Sequence, residues 1–199
     1  MPGIQCDLVN VVVDEMCSPS PGGTGDRLYA FPRNAEVKKL EIGADGSLDA
    51  AAFKTAVQGK VVAIDIKSES GHYTAEGEEG KDVNNGQIEV VIEKGLDTFL
   101  KNDKAFRYKD LGYALQRPDG KYYILFSKYS RVKYTTNFDS GQTATDDHGF
   151  TCTFNAAAME QAYMFLDLGE DDMDDLLAPD SNNANSGSNN NNDSDLDGE

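Results

Sequence analysis

Basic side chains are scarce and nowhere clustered. The 199 residues carry 18 Lys and Arg against 35 Asp and Glu, for a net charge of −17. Tight sequence-independent binding to nucleic acid needs grouped cations that displace counterions, and no such group exists in this chain. Cysteine is also rare. Cys6, Cys17 and Cys152 are too few and of the wrong parity for a disulfide framework, so they read as buried or semi-buried thiols of a reducing compartment. Tryptophan is absent, which leaves nine Tyr and nine Phe to fill a core. No apolar run approaches the roughly 18–20 residues that cross a bilayer. The opening Met1-Pro2-Gly3-Ile4-Gln5-Cys6-Asp7 has no positive segment before its apolar stretch, so no secretory signal is expected.

The charge is unevenly placed. Asp167 to Glu199 holds 11 acids and no Lys or Arg, leaving 24 acids against 18 bases in Met1–Leu166. This divides the chain into a mildly acidic β-rich domain over 1–166 and an acidic tail over 167–199. From Ser181 to Asn192 the tail is nearly all Asn and Ser. It cannot bury enough apolar surface to offset chain entropy, which predicts disorder beyond Pro179. Before that point Met173, Leu176 and Leu177 share one helical side and could form a weak docking face. Truncation after Leu168 is expected to leave assembly intact.

Between Cys6 and Phe154 the dominant signal is short alternation with β-branched enrichment, the mark of half-buried strands. Leu8–Val13, Arg27–Phe31, Val37–Ile42 and Lys60–Ile66 read as strands, the last with Val62, Ile64 and Ile66 on one face. Gln87–Glu93 places Ile88, Val90 and Ile92 inside and Glu89 and Glu93 outside. Gly112–Leu115 and Lys121–Lys128 form a hairpin around Pro118-Asp119-Gly120, where Pro presets the turn and Gly accepts the left-handed position. Arg131–Phe138 puts Val132, Tyr134, Thr136 and Phe138 on one face, and Phe150, Cys152 and Phe154 alternate after a polar loop over Ser140–Gly149. Two segments read as helix. Ser47–Gln58 has an N-cap candidate with Phe53 and Val57 at i and i+4, and Asp97–Tyr108 has a stripe of Leu96, Phe99, Leu100 and Phe106. The predicted architecture is mainly β: a β-sandwich or partly open β-barrel of about eight strands, with one or two short helices and a disordered acidic C-terminal tail.

No catalytic, cofactor or metal constellation emerges. Asp193-Ser194-Asp195-Leu196-Asp197-Gly198 copies the start of a calcium loop but lacks position 12 and flanking helices, and an acidic low-complexity tail produces such a string readily. Glu76, Glu78, Glu79 and Asp82 surround Gly77 and Gly80 in what reads as a flexible hairpin loop, with nothing to hold two carboxyls at a catalytic separation. His72 and His148 stand in polar loops without metal-ligand spacing. Gly22, Gly23 and Gly25 are followed by no Lys-Ser/Thr and open no helix, so they form no phosphate-binding loop. Cys152 reads as a core thiol.

The order of features from Cys6 to Ala157 resembles one family. A Cys near the start, Gly22-Gly23 and Leu28-Tyr29-Ala30 come first. The strand Gln87–Glu93 runs into Leu96-Asp97 and a helix, then the Asp119-Gly120 turn and the aromatic strand Tyr122–Phe126. Ser140-Gly141, Asp146 and Gly149-Phe150-Thr151-Cys152-Thr153-Phe154 close the series. This is similar to the major tail tube proteins of tailed phages of the Bacteroidetes group. The resemblance implies a β-sandwich or barrel with a flanking helix, subunits in six-fold rings, and rings stacked into a tube for genome passage. The chain departs from the pattern in its Asn/Ser-rich tail and in a long insertion over Ala44–Gly59.

The expected function is therefore a self-assembling virion protein of the tail, made in the host cytoplasm, with no enzymatic activity, no cofactor and no membrane anchor. Its expected partners are further copies of itself, other tail or head–tail proteins, and DNA only as passing cargo. The alternatives are a capsid-surface or head–tail joining protein, and a carbohydrate-binding β-sandwich using Tyr122, Tyr123 or Tyr129. Assembly would use strand edges, which present unpaired N–H and C=O groups. It would also use the polar loop over Ser70–Asn85, whose subunit-contact candidates are Gly71, His72, Tyr73, Glu76, Glu78, Glu79 and Asp82.

Overall fold

Along the described residues of the computed structural model, the first strand, β1 (Arg27–Pro32), leads to a 3-10 turn at Val37–Lys39. Then follow β2 (Ser47–Leu48), α1 (Ala50–Val57), β3 (Val62–Asp65), β4 (His72–Gly77), β5 (Asn84–Ile92) and α2 (Leu96–Tyr108). The order closes with β6 (Leu111–Gln116), β7 (Tyr122–Leu125), β8 (Lys133–Asp139), β9 (Gly149–Met159), β10 (Phe165–Leu166) and α3 (Glu170–Asp174). The structure describes residues 25–77, 84–93, 96–140 and 149–178. The expected first strand Leu8–Val13, Cys6 and Cys17, the glycines at 22 and 23, His148 and the Asp-rich terminus lie outside them.

The chain is mainly β, with two sheets and a few short helices. One sheet has the order β2-β10-β7-β6-β1-β3 and the other the order β4-β5-β9-β8. They face one another as in a sandwich. Tyr113 and Phe154 meet across the gap at 4.1 Å between ring centroids, and Ile88, Val90, Ile92 and Cys152 are enclosed there. The six-stranded sheet is buried on both faces at its centre, which is why β1 and β6 read as unbroken apolar runs without alternation. Its far face carries Tyr29 and Phe31. Phe31 meets Phe53 of α1 edge-on at 5.1 Å, and the Tyr29 hydroxyl donates to Asp174 Oδ1 of α3 at 3.2 Å. α2 closes one end of the sandwich, with Phe99 and Phe106 against Phe150, Tyr134 and Phe154.

Local rules account for several elements. Asp49 caps α1 by accepting from the Ala51 and Ala52 N–H groups at 2.8 and 3.0 Å. The predicted hairpin turn forms with Gly120 at φ +80°, and β6 pairs with β7 in register from Tyr113↔Leu125 to Gln116↔Tyr122.

Five expectations are corrected. Val37–Ile42 is not a strand, because the Asn34 side chain accepts from the Val37 N–H at 2.9 Å and winds the segment into a 3-10 turn. Val62 does not face inward. At the edge of its sheet it is 39% exposed, and Val61 is buried in its place. Leu100 is 51% exposed and falls outside the buried stripe of α2, where Phe99 and Phe106 are enclosed.

His72–Gly77 is not loop but strand β4, paired to β5 from His72↔Glu89 to Gly77↔Asn84. Finally, 167–178 is not the start of a tail. Met173 and Leu176 are fully buried, and the Ala178 N–H donates to the Val61 carbonyl at 2.8 Å. Four of the six acids of this segment stand beside cations: Arg27 reaches Asp174 at 3.1 Å and Glu170 at 3.7 Å, Lys54 reaches Asp172 at 2.7 Å, and Lys121 reaches Asp167 at 2.8 Å.

Candidate assembly surface

The four-stranded sheet presents one face to the core and the other to solvent. Alternation on β5 sends Ile88, Val90 and Ile92 inward and Asn85, Gln87, Glu89 and Val91 outward. The cross-strand pairs extend this pattern into rows. One row on the open face runs His72, Glu89, Thr153, Thr135; a second runs Thr74, Gln87, Asn155, Lys133. The charged residues of the face are Glu76, Glu89, Lys133 and Asp139, with no arginine among them. It is a wall of hydroxyl and amide groups with a slight negative balance.

Both margins of this sheet are strand edges. Among the described residues, β4 pairs only with β5 and β8 only with β9. Every neighbouring pair is antiparallel, so β4 and β8 run in opposite directions. On β8, Phe138 is 52% accessible while its ring lies 4.9 Å from Phe150.

The subunit-contact candidates divide by position. Gly71 precedes β4, while His72 and Glu76 stand on its open face. Glu78, Glu79 and Asp82 lie outside the described residues. Tyr73 points inward and anchors β4 to the opposite sheet. Its ring stacks on Tyr123 at 4.8 Å and 6°, its hydroxyl donates to the Ala162 carbonyl at 3.2 Å, and burial pushes that hydroxyl well above its ordinary pKa. Tyr123 is further engaged by the Arg117 guanidinium, 4.9 Å from its ring centre, and Arg117 also bonds the Tyr163 hydroxyl. Of the tyrosines considered for sugar stacking, Tyr122 is fully buried, Tyr123 is held in this cluster, and Tyr129 is exposed.

Two supports went unread in the sequence. Arg33, buried just after β1, forms a two-pronged pair with Asp110 at 2.7 and 2.9 Å and donates to the Ser127 carbonyl at 2.6 Å. Ser127 in turn donates its hydroxyl to the Ala158 carbonyl at 2.7 Å, clamping the end of β7 to β9. A lone Arg between Pro32 and Asn34 is the only hint in the chain. The Cys152 thiol is enclosed among Tyr134, Thr136 and Phe150, and burial raises its pKa, so it packs as the alternation suggests.

No protein-family profile matches the chain, and no curated protein or solved structure matches it. Among the described residues, no helix is long and apolar enough to cross a membrane.

Proposed function

We propose that this chain is a virion structural protein whose copies join into rings, stacked as the tail tube through which a phage genome is delivered. The observation that carries the reading is the four-stranded sheet with a polar open face and two edges of opposite direction. An edge of one copy meeting the other edge of the next is a heterologous contact, and such contacts close into rings when the rotation permits. The antiparallel alternation then continues unbroken across every junction.

Four strands at about 4.8 Å spacing, tilted as in a closed barrel, span roughly 24 Å of arc per copy. The six copies implied by the family resemblance would enclose a channel about 45 Å across at the backbone, wider than a DNA duplex. Its wall would be the open face. One lysine and no arginine per copy on that face suits a conduit, because phosphates held by clustered cations would arrest the cargo.

Negative-stain imaging of the purified protein over a range of concentrations tests this. Rings of constant diameter that stack into tubes are expected. Monomers at every concentration would overturn the proposal, and compact trimers would favour a capsid-surface role instead.

A further inference from the structure

Edge geometry permits a more specific statement, which rests on the ring-forming reading above. Val91 on β5 donates its N–H to Ser70 Oγ at 3.1 Å and accepts from the Lys67 N–H at 2.7 Å, so its backbone groups point to the β4 side. Backbone direction alternates along antiparallel strands. Carried through the cross-strand pairs, the alternation turns the N–H and C=O groups of Tyr73, Ala75 and Gly77 outward from β4. It likewise turns those of Tyr134, Thr136 and Phe138 outward from β8. In both strands the residues whose backbones face outward are those whose side chains face the core.

We propose that a second copy of this chain adds its β4 to β8 antiparallel, with its His72 opposite Asp139. The register follows from three constraints. All six residues of β4 must lie opposite residues of β8, which spans Lys133–Asp139. Side chains of the open face must meet side chains of the open face, since a one-residue slip reverses every side chain. Only His72↔Asp139 satisfies both; the nearest face-matched alternative, His72↔Asn137, pushes Gly77 past the end of β8.

The third constraint is barrel closure. The row through His72 reaches β8 at Thr135, so the next copy's His72 stands four residues farther along. Four residues over four strands is one residue per strand, the shear that tilts barrel strands by about 36°. The alternative register gives half that shear and a flatter tilt of roughly 20°.

The side chains then pair in chemically matched rows. The His72 imidazole meets the Asp139 carboxylate, Thr74 meets Asn137, and Glu76 meets Thr135 on the open face. On the core face the half-exposed Phe138 ring meets Tyr73, an aromatic cross-strand pair. Three narrow pairs, Tyr73–Phe138, Ala75–Thr136 and Gly77–Tyr134, each exchange two backbone hydrogen bonds.

Cysteine pairs placed on the open face read the register directly. Thr74 and Asn137 form a wide pair, whose Cβ atoms stand close enough for a disulfide; with Cys6 and Cys17 replaced by Ser in every protein tested, the buried Cys152 on the opposite face does not interfere. Full-length protein carrying Thr74→Cys and Asn137→Cys should give a ladder of linked oligomers on a non-reducing gel after mild oxidation. Thr74→Cys with Thr135→Cys, and each single variant, should show no more linkage than the protein with the two Ser replacements alone.

A ladder from the Thr74/Thr135 pair instead would overturn the register while leaving edge pairing intact. A cross-linked dimer from a single variant in which Cys6 and Cys17 are replaced by Ser would mean like edges meeting and would overturn the β4–β8 junction. Rings of wild-type protein with no ladder from either double variant would also overturn the junction but spare the ring reading. Monomeric wild type without ladders would remove both.

Discussion

Replacing Met173 with alanine takes a side chain with no solvent exposure out of the contact between α3 and the six-stranded sheet. Removing it forfeits about 1.5–3 kcal/mol of transfer free energy, and the hole left behind raises the usual cost of such core truncations to about 2–5 kcal/mol. Collapse around the hole is resisted because α3 is held firmly at its C-terminal end. Asp174 is gripped by Arg27 at 3.1 Å and by Tyr29 at 3.2 Å, while the Leu176 carbonyl and Ala178 N–H bond Val61 at 3.1 and 2.8 Å. A loss of about 3–4 kcal/mol is therefore expected. In urea denaturation followed by far-ultraviolet circular dichroism, a slope of about 2 kcal/mol per molar places the midpoint roughly 1.5–2 M lower. The thermal midpoint should fall by about 6–15 °C. Asp171→Ala, on the exposed side of the same helix, serves as reference. If Met173→Ala shifts the midpoint by no more than that reference, the acidic segment is not part of the folded domain and the argument fails.

Asp110→Ala leaves the enclosed Arg33 guanidinium without its carboxylate and should cost about 3–5 kcal/mol; a loss below 1 kcal/mol in the same urea assay would contradict it. For Asp110, burial pushes the carboxyl pKa up, but the hydrogen bonds and charge of Arg33, then of Lys38, outweigh it and hold the value below the ordinary 3.8. The unfolded chain therefore takes up its proton first as pH falls. The contribution to stability is present above pH 3.8 and is lost as pH drops through the lower folded value. Asp110→Asn should show a shallower loss of stability in that acid range, and an unchanged slope would refute the assignment. Gly46 has φ +85°, and a Cβ there would collide with the Tyr163 carbonyl oxygen. Gly46→Ala should accordingly destabilise by more than about 1 kcal/mol, and a neutral result in thermal melts would contradict it. In native protein, peptide mapping after iodoacetamide treatment should find Cys152 unmodified until denaturant is added, and labelling at the rate of a free thiol would show that it is not enclosed.

How much of the fold could be read beforehand depended on the range of the interactions that decide each element. Ile88, Val90 and Ile92 alternate with polar neighbours because one face of β5 is wet and the other dry, and that division is written locally. The Pro118-Asp119-Gly120 turn was equally legible, since its left-handed glycine depends on its own backbone. The helix at Ala50–Val57 was too, though its cap is Asp49. The two-sheet, mainly β architecture follows from such signals, and so does the polar character of the face that Thr135, Asn137 and Gln87 share.

Other features depend on partners far along the chain. Met173 and Leu176 sit among acids that locally read as a solvated tail, and only Arg27, Lys54 and Val61, more than a hundred residues earlier, make their burial favourable. Tyr73 carries no local sign of orientation; stacking on Tyr123 turns it inward and so aligns β4 with its open edge outward. The candidate assembly surface is the clearest case. His72 and Glu76 on one margin, and Thr135 and Asp139 on the other, belong to one sheet only because β5 and β9 pair between them. Strand order is a property of long-range pairing that no window of sequence contains, and it is what places two opposed edges on one polar face.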